Sequence, residues 1–290
     1  MLKRLLSRGK ATEDGTASFE GKIVLVTGAA SGFGRGIAMA FARAGADLVL
    51  ADINEEGLRE TARIVEDLGR KVLTKRVDVS NRAEMEEFAG EVLSEWGRVD
   101  VLVNNAGVGV GGELVNIPLD DIEWITGINL MGEVYGTRLF LPQMIERGEG
   151  HVVNIGSLSS LVVLPLHIAY TTAKFGVAGF SEALWVECHR RGVGVTLVCP
   201  GAISTDIVTN TRAHASNSRQ QKMTEKYESM LQEKGMHPEK AGQLVLEAVA
   251  RDRFLLLIGS EAYFLYYLRR LFPNFVRRLA SAATGLSSGK

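Results

Sequence analysis

The chain has 290 residues, length for one or two folded units, although some folds run to ~250 residues as one. Hydrophobic residues make up 46% and charged residues 23%, so the chain can fill a large core and is not of the disordered class. Lys and Arg number 33 against 34 Asp and Glu, a net charge of −1 that removes any global electrostatic case for nucleic acid, and two cysteines, Cys188 and Cys199, suggest neither a disulfide framework nor a metal site.

Residues 1–10 are basic, carry three leucines and are too short and too polar for a secretory signal, so residues 1–18 read as a basic extension and the cytoplasm is the expected compartment. Residues 22–27 then form a β-branched run that stops at Gly28-Ala-Ala-Ser31-Gly32-Phe33-Gly34 and leads into the apolar periodic stretch of Ile37, Ala38, Phe41 and Ala42. Strand, glycine turn and helix bring bare backbone N–H groups and a helix N-terminus up to a pyrophosphate. The spacing is G-x-x-x-G-x-G, and the glycines alone would also suit a tight turn that needs positive φ. The next strand weighs against that plainer reading: it ends in Asp52, roughly 20 residues after the glycines, where a carboxylate can accept hydrogen bonds from an adenosine ribose. Asp52 favours NAD over NADP, because a 2′-phosphate would meet a like charge there. Ile53 offers no basic group, Ser31 rather than Lys or Arg precedes Gly32, and Arg35 is the nearby cation that keeps NADP as the alternative.

Strand-like runs recur at residues 23–27, 48–51, 72–76, 101–104, 151–155, 194–199 and 254–258, with helical patterns between them. Near-continuous Val, Ile and Leu is what strands buried on both faces require, so the pattern predicts an α/β fold: one doubly wound parallel sheet of about seven strands with helices on both faces. Ligands bind across the carboxyl edge of such a sheet.

Ser157, Tyr170 and Lys174 carry the chemistry. Tyr170 and Lys174 lie four residues apart, which on a helix puts phenol and ammonium on one face, where the cation favours the phenolate. A free tyrosine titrates near ~10 and exchanges protons poorly at neutral pH, so this reading has Lys174 lowering it. Ser157 would then hydrogen-bond the substrate oxygen.

Thr27-Gly28-x-x-x-Gly32-x-Gly34, Asp78-Val79, Asn104-Asn105-Ala106-Gly107, Asn129, Ser157, Tyr170-x-x-x-Lys174 and Pro200-Gly201 with Thr205 stand in the order and spacing of the short-chain dehydrogenase/reductase family, which the chain resembles over residues 19–259. The resemblance implies a Rossmann unit at residues 19–260 with Tyr170 as general acid/base, Lys174 lowering its pKa and holding the nicotinamide ribose, and Ser157 anchoring the substrate oxygen. It implies that Asn129 holds a water that passes protons to Lys174. Asp78 and Val79 would touch the adenine, Asn105, Ala106 and Gly107 would shape the cofactor floor, and Ile203 and Thr205 would meet the carboxamide and diphosphate. It also implies a homodimer or homotetramer built through long helices, here residues 119–147 and 170–190.

The segment between Ser157 and Tyr170 is almost wholly aliphatic, and neither it nor residues 108–114 present an arginine for a carboxylate or phosphate, so the expected substrate is apolar around its reacting carbon. Packing between helices is the plainer use of the same aliphatics. Residues 207–235 are polar and stand where the family carries a mobile lid. Residues 261–290 form an amphipathic extension in which aromatics and leucines alternate with Arg269, Arg270, Arg277 and Arg278; Pro273 and the arginines break it well short of a membrane span. Two short helices are expected, packed on the subunit or its neighbour, with an anionic membrane surface as the second partner. The sequence thus points to an NAD(H)-dependent oxidoreductase acting on a hydrophobic secondary alcohol or ketone. The alternatives are an NADP(H)-dependent carbonyl or 3-oxoacyl reductase and, from another class, a non-catalytic dinucleotide-sensing scaffold.

Overall fold

The structure is a computed structural model and describes residues 17–204, 211–215 and 235–284. Seven parallel strands form the central sheet: β1 (Ile23–Thr27), β2 (Asp47–Asp52), β3 (Val72–Arg76), β4 (Val101–Asn104), β6 (Gly150–Ile155), β7 (Val193–Pro200) and β9 (Leu255–Ile258), in the order β3-β2-β1-β4-β6-β7-β9. The chain winds outward from β1 in one direction and from β4 in the other, so β1 and β4 flank the switch point where a cleft must open at their carboxyl ends.

Alternating side chains of β1 and β2 face opposite layers, as the two-residue period of a strand dictates. Val24, Val26, Leu48 and Leu50 are buried with Ile37 and Phe41 of α1 (Gly32–Arg43), Leu58 of α2 (Glu55–Asp67) and Val245 of α7 (Pro238–Ala250). Leu25, Val49 and Ala51 are buried on the other side with Phe88 of α3 (Arg82–Trp96), Phe140 of α5 (Gly132–Arg147) and Leu184 of α6 (Ile168–Cys188). Strands covered on both faces explain the uninterrupted apolar runs in the sequence.

Three local features depart from the expected pattern. The helix expected over residues 119–147 is α4 (Leu119–Thr126) followed by a wider π-type turn at Gly127–Met131 and then α5. That turn carries Asn129 into the interior, which a continuous helix could not do at the same position. A second, two-stranded parallel sheet pairs β5 (Gly109–Gly112) with β8 (Thr211–His214), two strands too rich in glycine or polar residues to show an apolar run. The tail does form two short helices, α8 (Ser260–Leu271) and α9 (Pro273–Ala283). No described helix is long and apolar enough to cross a membrane.

Candidate active site

A cavity of about 820 Å³ opens at the carboxyl edge, over the switch point. Its dinucleotide end is built from backbone. Gly28 has φ of 64°, and a Cβ placed there would stand 2.8 Å from Ala106 Cα, so the β1 turn and the segment after β4 approach as only glycine permits. Asn105 laces the same two segments: its side-chain amide donates to the carbonyls of Thr27 (2.9 Å) and Gly28 (3.0 Å), and its N–H donates to Thr27 Oγ1. Ser31, the residue before α1, has no side-chain cap bond, and the first turn, Gly32, Phe33 and Gly34, holds no acid. The first amides of α1 are thereby left for an anion. Asp52 is held at the lip of the cavity, accepting N–H bonds from Ala30 and Asn54, each at 3.0 Å, beside Ile53, which is 63% exposed.

The remaining expected cofactor residues line the same cavity: Asp78 and Val79 after β3, Asn105, Ala106 and Gly107 after β4, and Pro200, Gly201 and Ile203 after β7. Asp78 is fixed by bonds from Ser80 N–H and Oγ, at 2.9 and 2.7 Å. Thr205 and most of the expected lid lie outside the described residues, with residues 211–215 and 235 inside them. These glycine contacts and bare amides suit a dinucleotide: a Cβ at Gly28 would push the β1 turn off Ala106 and Asn105, and the donor set is that of a phosphate site.

Ser157, Tyr170 and Lys174 meet at the other end of the cavity. Ser157 ends the approach from β6 in extended backbone, and its Oγ accepts from Ser159 N–H at 3.1 Å. Tyr170 lies in the first turn of α6, and Lys174 one turn later is buried. The ammonium of Lys174 donates to Ile155 O at 2.6 Å and to Glu133 Oε1 at 3.3 Å. Asn129 is the expected catalytic residue that does not line the cavity: it is wholly buried and locked to Val108, accepting its N–H at 2.8 Å and donating to its carbonyl at 2.9 Å.

The phenol is not lowered as the sequence spacing suggests. Burial pushes Tyr170 above its usual value; a hydrogen bond with Ser157 pulls it back, and the charge of Glu133 adds to the rise. Burial of the phenol is the main reason, and the cation expected to favour the phenolate is itself paired with a buried carboxyl. Glu133 itself is pushed up to about 8 by burial, against the pull of Lys174. No motif singled it out, and a charged residue where an amphipathic helix turns inward was the available signal.

The substrate wall contains residues that spacing could not assemble. Leu166 adopts φ of 59°, rare for a branched side chain, and its carbonyl accepts from Gly112 N–H at 2.7 Å, tying the loop before α6 to β5. His167 lies against the cavity with Nδ1 donating to Pro165 O at 2.6 Å; burial lowers its pKa, against the pull of that hydrogen bond. An arginine does reach the wall, from β8 rather than from the two segments inspected in the sequence. Arg212 is bound to Asp121 of α4 and stacks 3.7 Å from the centre of the Trp124 ring, while His214 meets the other Asp121 oxygen at 2.6 Å. Arg212 holds the Asp121 carboxyl below the usual range, with His214 adding to it.

The short chain dehydrogenase family matches residues 22–216. SadH of Mycobacterium tuberculosis, named an oxidoreductase by inference, is 37% identical over 269 residues, covering 92% of this chain and 96% of its own. The chain belongs to the short-chain dehydrogenase/reductase family. Human estradiol 17-beta-dehydrogenase 11 is 33% identical over 260 residues, 89% of this chain and 81% of that one. A family member from Burkholderia phymatum, solved in complex with NAD, superposes with a TM-score of 0.83 at 32% identity, covering 90% of this chain and 96% of that one. This short-chain dehydrogenase is therefore an oxidoreductase of a family that works with nicotinamide dinucleotides.

Proposed function

We propose that this short-chain dehydrogenase transfers hydride between NAD(H) and a hydrophobic secondary alcohol or its ketone, of the steroid, lipid-derived or ring-alcohol class. The observation that carries the reading is one cavity with Asp52 at its dinucleotide lip and, at the other end, Tyr170 facing an aliphatic wall of Val110, Leu164 and Leu166. Asp52 supports NAD: its carboxylate would repel a 2′-phosphate, and Arg35 is bound to Glu60 (2.9 Å), Thr61 and the Ala30 carbonyl instead of facing the lip. Among the described residues the one wall arginine, Arg212, has its charge matched by Asp121, which supports an uncharged substrate. The Burkholderia neighbour holds NAD, and the human relative is named for a steroid alcohol.

The dinucleotide, when bound, supplies the hydride acceptor or donor. Gly28, Ser31, Gly32, Phe33 and Gly34 present backbone to its phosphates, Asp52 accepts from its adenosine ribose, and Asp78, Val79, Asn105, Ala106, Gly107, Pro200, Gly201 and Ile203 form its walls, with Thr205 following. Ser157 holds the substrate oxygen while Tyr170 takes or returns the hydroxyl proton. Lys174 has three N–H donors, of which Ile155 O and Glu133 engage two; the third is left for the cavity and the nicotinamide ribose. Asn129, fixed at Val108, would hold the water that exchanges protons with Lys174.

Residues 19–260 make the catalytic unit in this reading, with 1–18 and 261–290 as extensions. The buried free thiols of Cys188 and Cys199 agree with a cytoplasmic setting. The tail exposes Phe264, Tyr267, Leu271, Phe272 and Phe275, each more than half open to solvent, which supports burial against a second subunit of a homodimer or homotetramer, with an anionic membrane as the alternative cover. Arg269 is not available to lipid headgroups, since it binds Leu161 O and stacks on Phe175.

The test is a screen of initial rates over steroids, long-chain secondary alcohols and ring alcohols with both cofactors. A higher kcat/KM with NAD for an apolar alcohol is expected. Preference for NADP overturns the cofactor assignment, and absence of turnover across the panel overturns the substrate class.

A further inference from the structure

Glu133 is a carboxyl at the start of α5, 2% exposed, in the layer between the sheet and α6. Burying a carboxylate costs several kcal/mol of lost hydration unless a partner compensates. Its partner is Lys174, Nζ to Oε1 at 3.3 Å, and both side chains are closed to solvent. The second oxygen, Oε2, is buried and has no hydrogen-bond partner among the described residues. A carboxylate with one oxygen paired and the other bare is poorly solvated, so the neutral acid competes with it. The lysine it meets is the one whose charge the Tyr170 chemistry depends on.

We propose that Glu133 is a positioning residue for the catalytic pair: it fixes the Lys174 ammonium between its own Oε1 and Ile155 O and, by gaining or losing its proton, sets the pH at which Tyr170 can act. Among the described residues, the titratable groups that face it come from two elements. Lys174 and Tyr170 come from α6 and Cys199 from β7, and burial pushes the Cys199 thiol up to about 12, so it stays neutral. While Glu133 is protonated, the ammonium acts on Tyr170 uncompensated. Once Glu133 ionises, its negative charge opposes the phenolate, and the alkaline working limit of the pair rises with it. Burial that brings Glu133 to about 8 puts this change near the range in which an alcohol dehydrogenase draws on a phenolate.

The inference rests on Tyr170 and Lys174 being the catalytic pair, and the experiment separates the two. In Glu133→Gln, shape and hydrogen bonding are nearly kept and the charge is lost. The pH profile of kcat/KM for alcohol oxidation should have its rising limb displaced downward by about one unit. Glu133→Asp, which keeps a carboxyl, should stay closer to the parent than Gln does. Ionisation of Tyr170 read from tyrosinate absorbance, as the difference between each protein and its Tyr170→Phe counterpart, needs no substrate and should move the same way. If the absorbance midpoint moves but no alcohol is oxidised, the proposed function fails and the role of Glu133 stands. If neither limb nor midpoint moves in the Gln variant, or if Asp and Gln behave alike, Glu133 only neutralises Lys174 and the inference is overturned.

Discussion

The two ends of the cavity are made of different material. At the dinucleotide end every tie has main chain on one side: the Gly28 turn, the Asn105 amide on the carbonyls of Thr27 and Gly28, and the N–H groups of Ala30 and Asn54 that fix the Asp52 carboxylate. At the substrate end side chains are tied to side chains, Arg212 and His214 of β8 to Asp121 of α4, beside a main-chain bond from Leu166 to β5. Main-chain groups are present whatever the side chain, so a cradle built on them persists while the side chains around it change. Side-chain walls can be rebuilt residue by residue, so a family can keep its dinucleotide cradle while its substrate changes.

That contrast breaks most completely where the chemistry is. Tyr170→Phe keeps the ring and removes the transferable proton, so kcat should fall ~10²–10⁴-fold while the dissociation constant for the dinucleotide barely changes. Turnover at the parent rate in the purified variant would remove Tyr170 from the reaction. At the lip, Asp52→Ala with Ile53→Arg replaces a like charge with an attractive one. The ratio of kcat/KM for NADP over NAD should rise on the order of a hundredfold, the scale of a relieved charge clash of a few kcal/mol. An unmoved ratio would show that Asp52 does not face the 2′ position.

Gly28→Ala tests the backbone end alone. A Cβ at positive φ, 2.8 Å from Ala106 Cα, costs about 1–3 kcal/mol of strain, so titration should show roughly tenfold weaker dinucleotide binding or a matching loss of melting temperature. The smallest effect belongs to the substrate end. Asp121→Asn frees the β8 strap, and KM for the alcohol should rise a few-fold with kcat nearly constant. Because the Asp121 carboxyl is held below its ordinary value of 3.8, the fastening it provides is present above that pH and is lost only as pH falls through the lowered value. The Arg212 share of the difference between parent and variant should therefore be constant from pH 6 to 9, and any variation over that interval would come through His214, the other partner of Asp121.

The same contrast explains what could be read from the sequence. A positive φ at Gly28, a carboxylate at the end of β2 and an apolar run buried on both faces each demand a residue type, and each left a visible mark. β5 and β8 left none, because Gly-Val-Gly-Gly and Thr-Arg-Ala-His pair through backbone with no alternating apolar face. The helix expected across residues 119–147 concealed the widened turn, since Asn129 differs from its neighbours only in being carried inward. The spacing of Tyr170 and Lys174 was legible, but its electrostatic consequence was not: Glu133 stands 41 residues before Lys174 in the chain, and only folding brings its charge beside the ammonium.

One contact of the tail bears on how the reaction is kept in register. Arg269 of α8 binds the Leu161 carbonyl, four residues after Ser157, and lies 4.8 Å from the centre of the Phe175 ring, the residue after Lys174. The arginine thus braces the segments that carry Ser157 and Lys174 against each other from outside the cavity. Shortening the chain after Gly259 should accelerate amide hydrogen exchange at Leu161 and along the first turns of α6 and slow catalysis, even where the dinucleotide still binds. A change in how the tail packs would then reach the spacing between Ser157 and the first turns of α6 without touching the cavity itself.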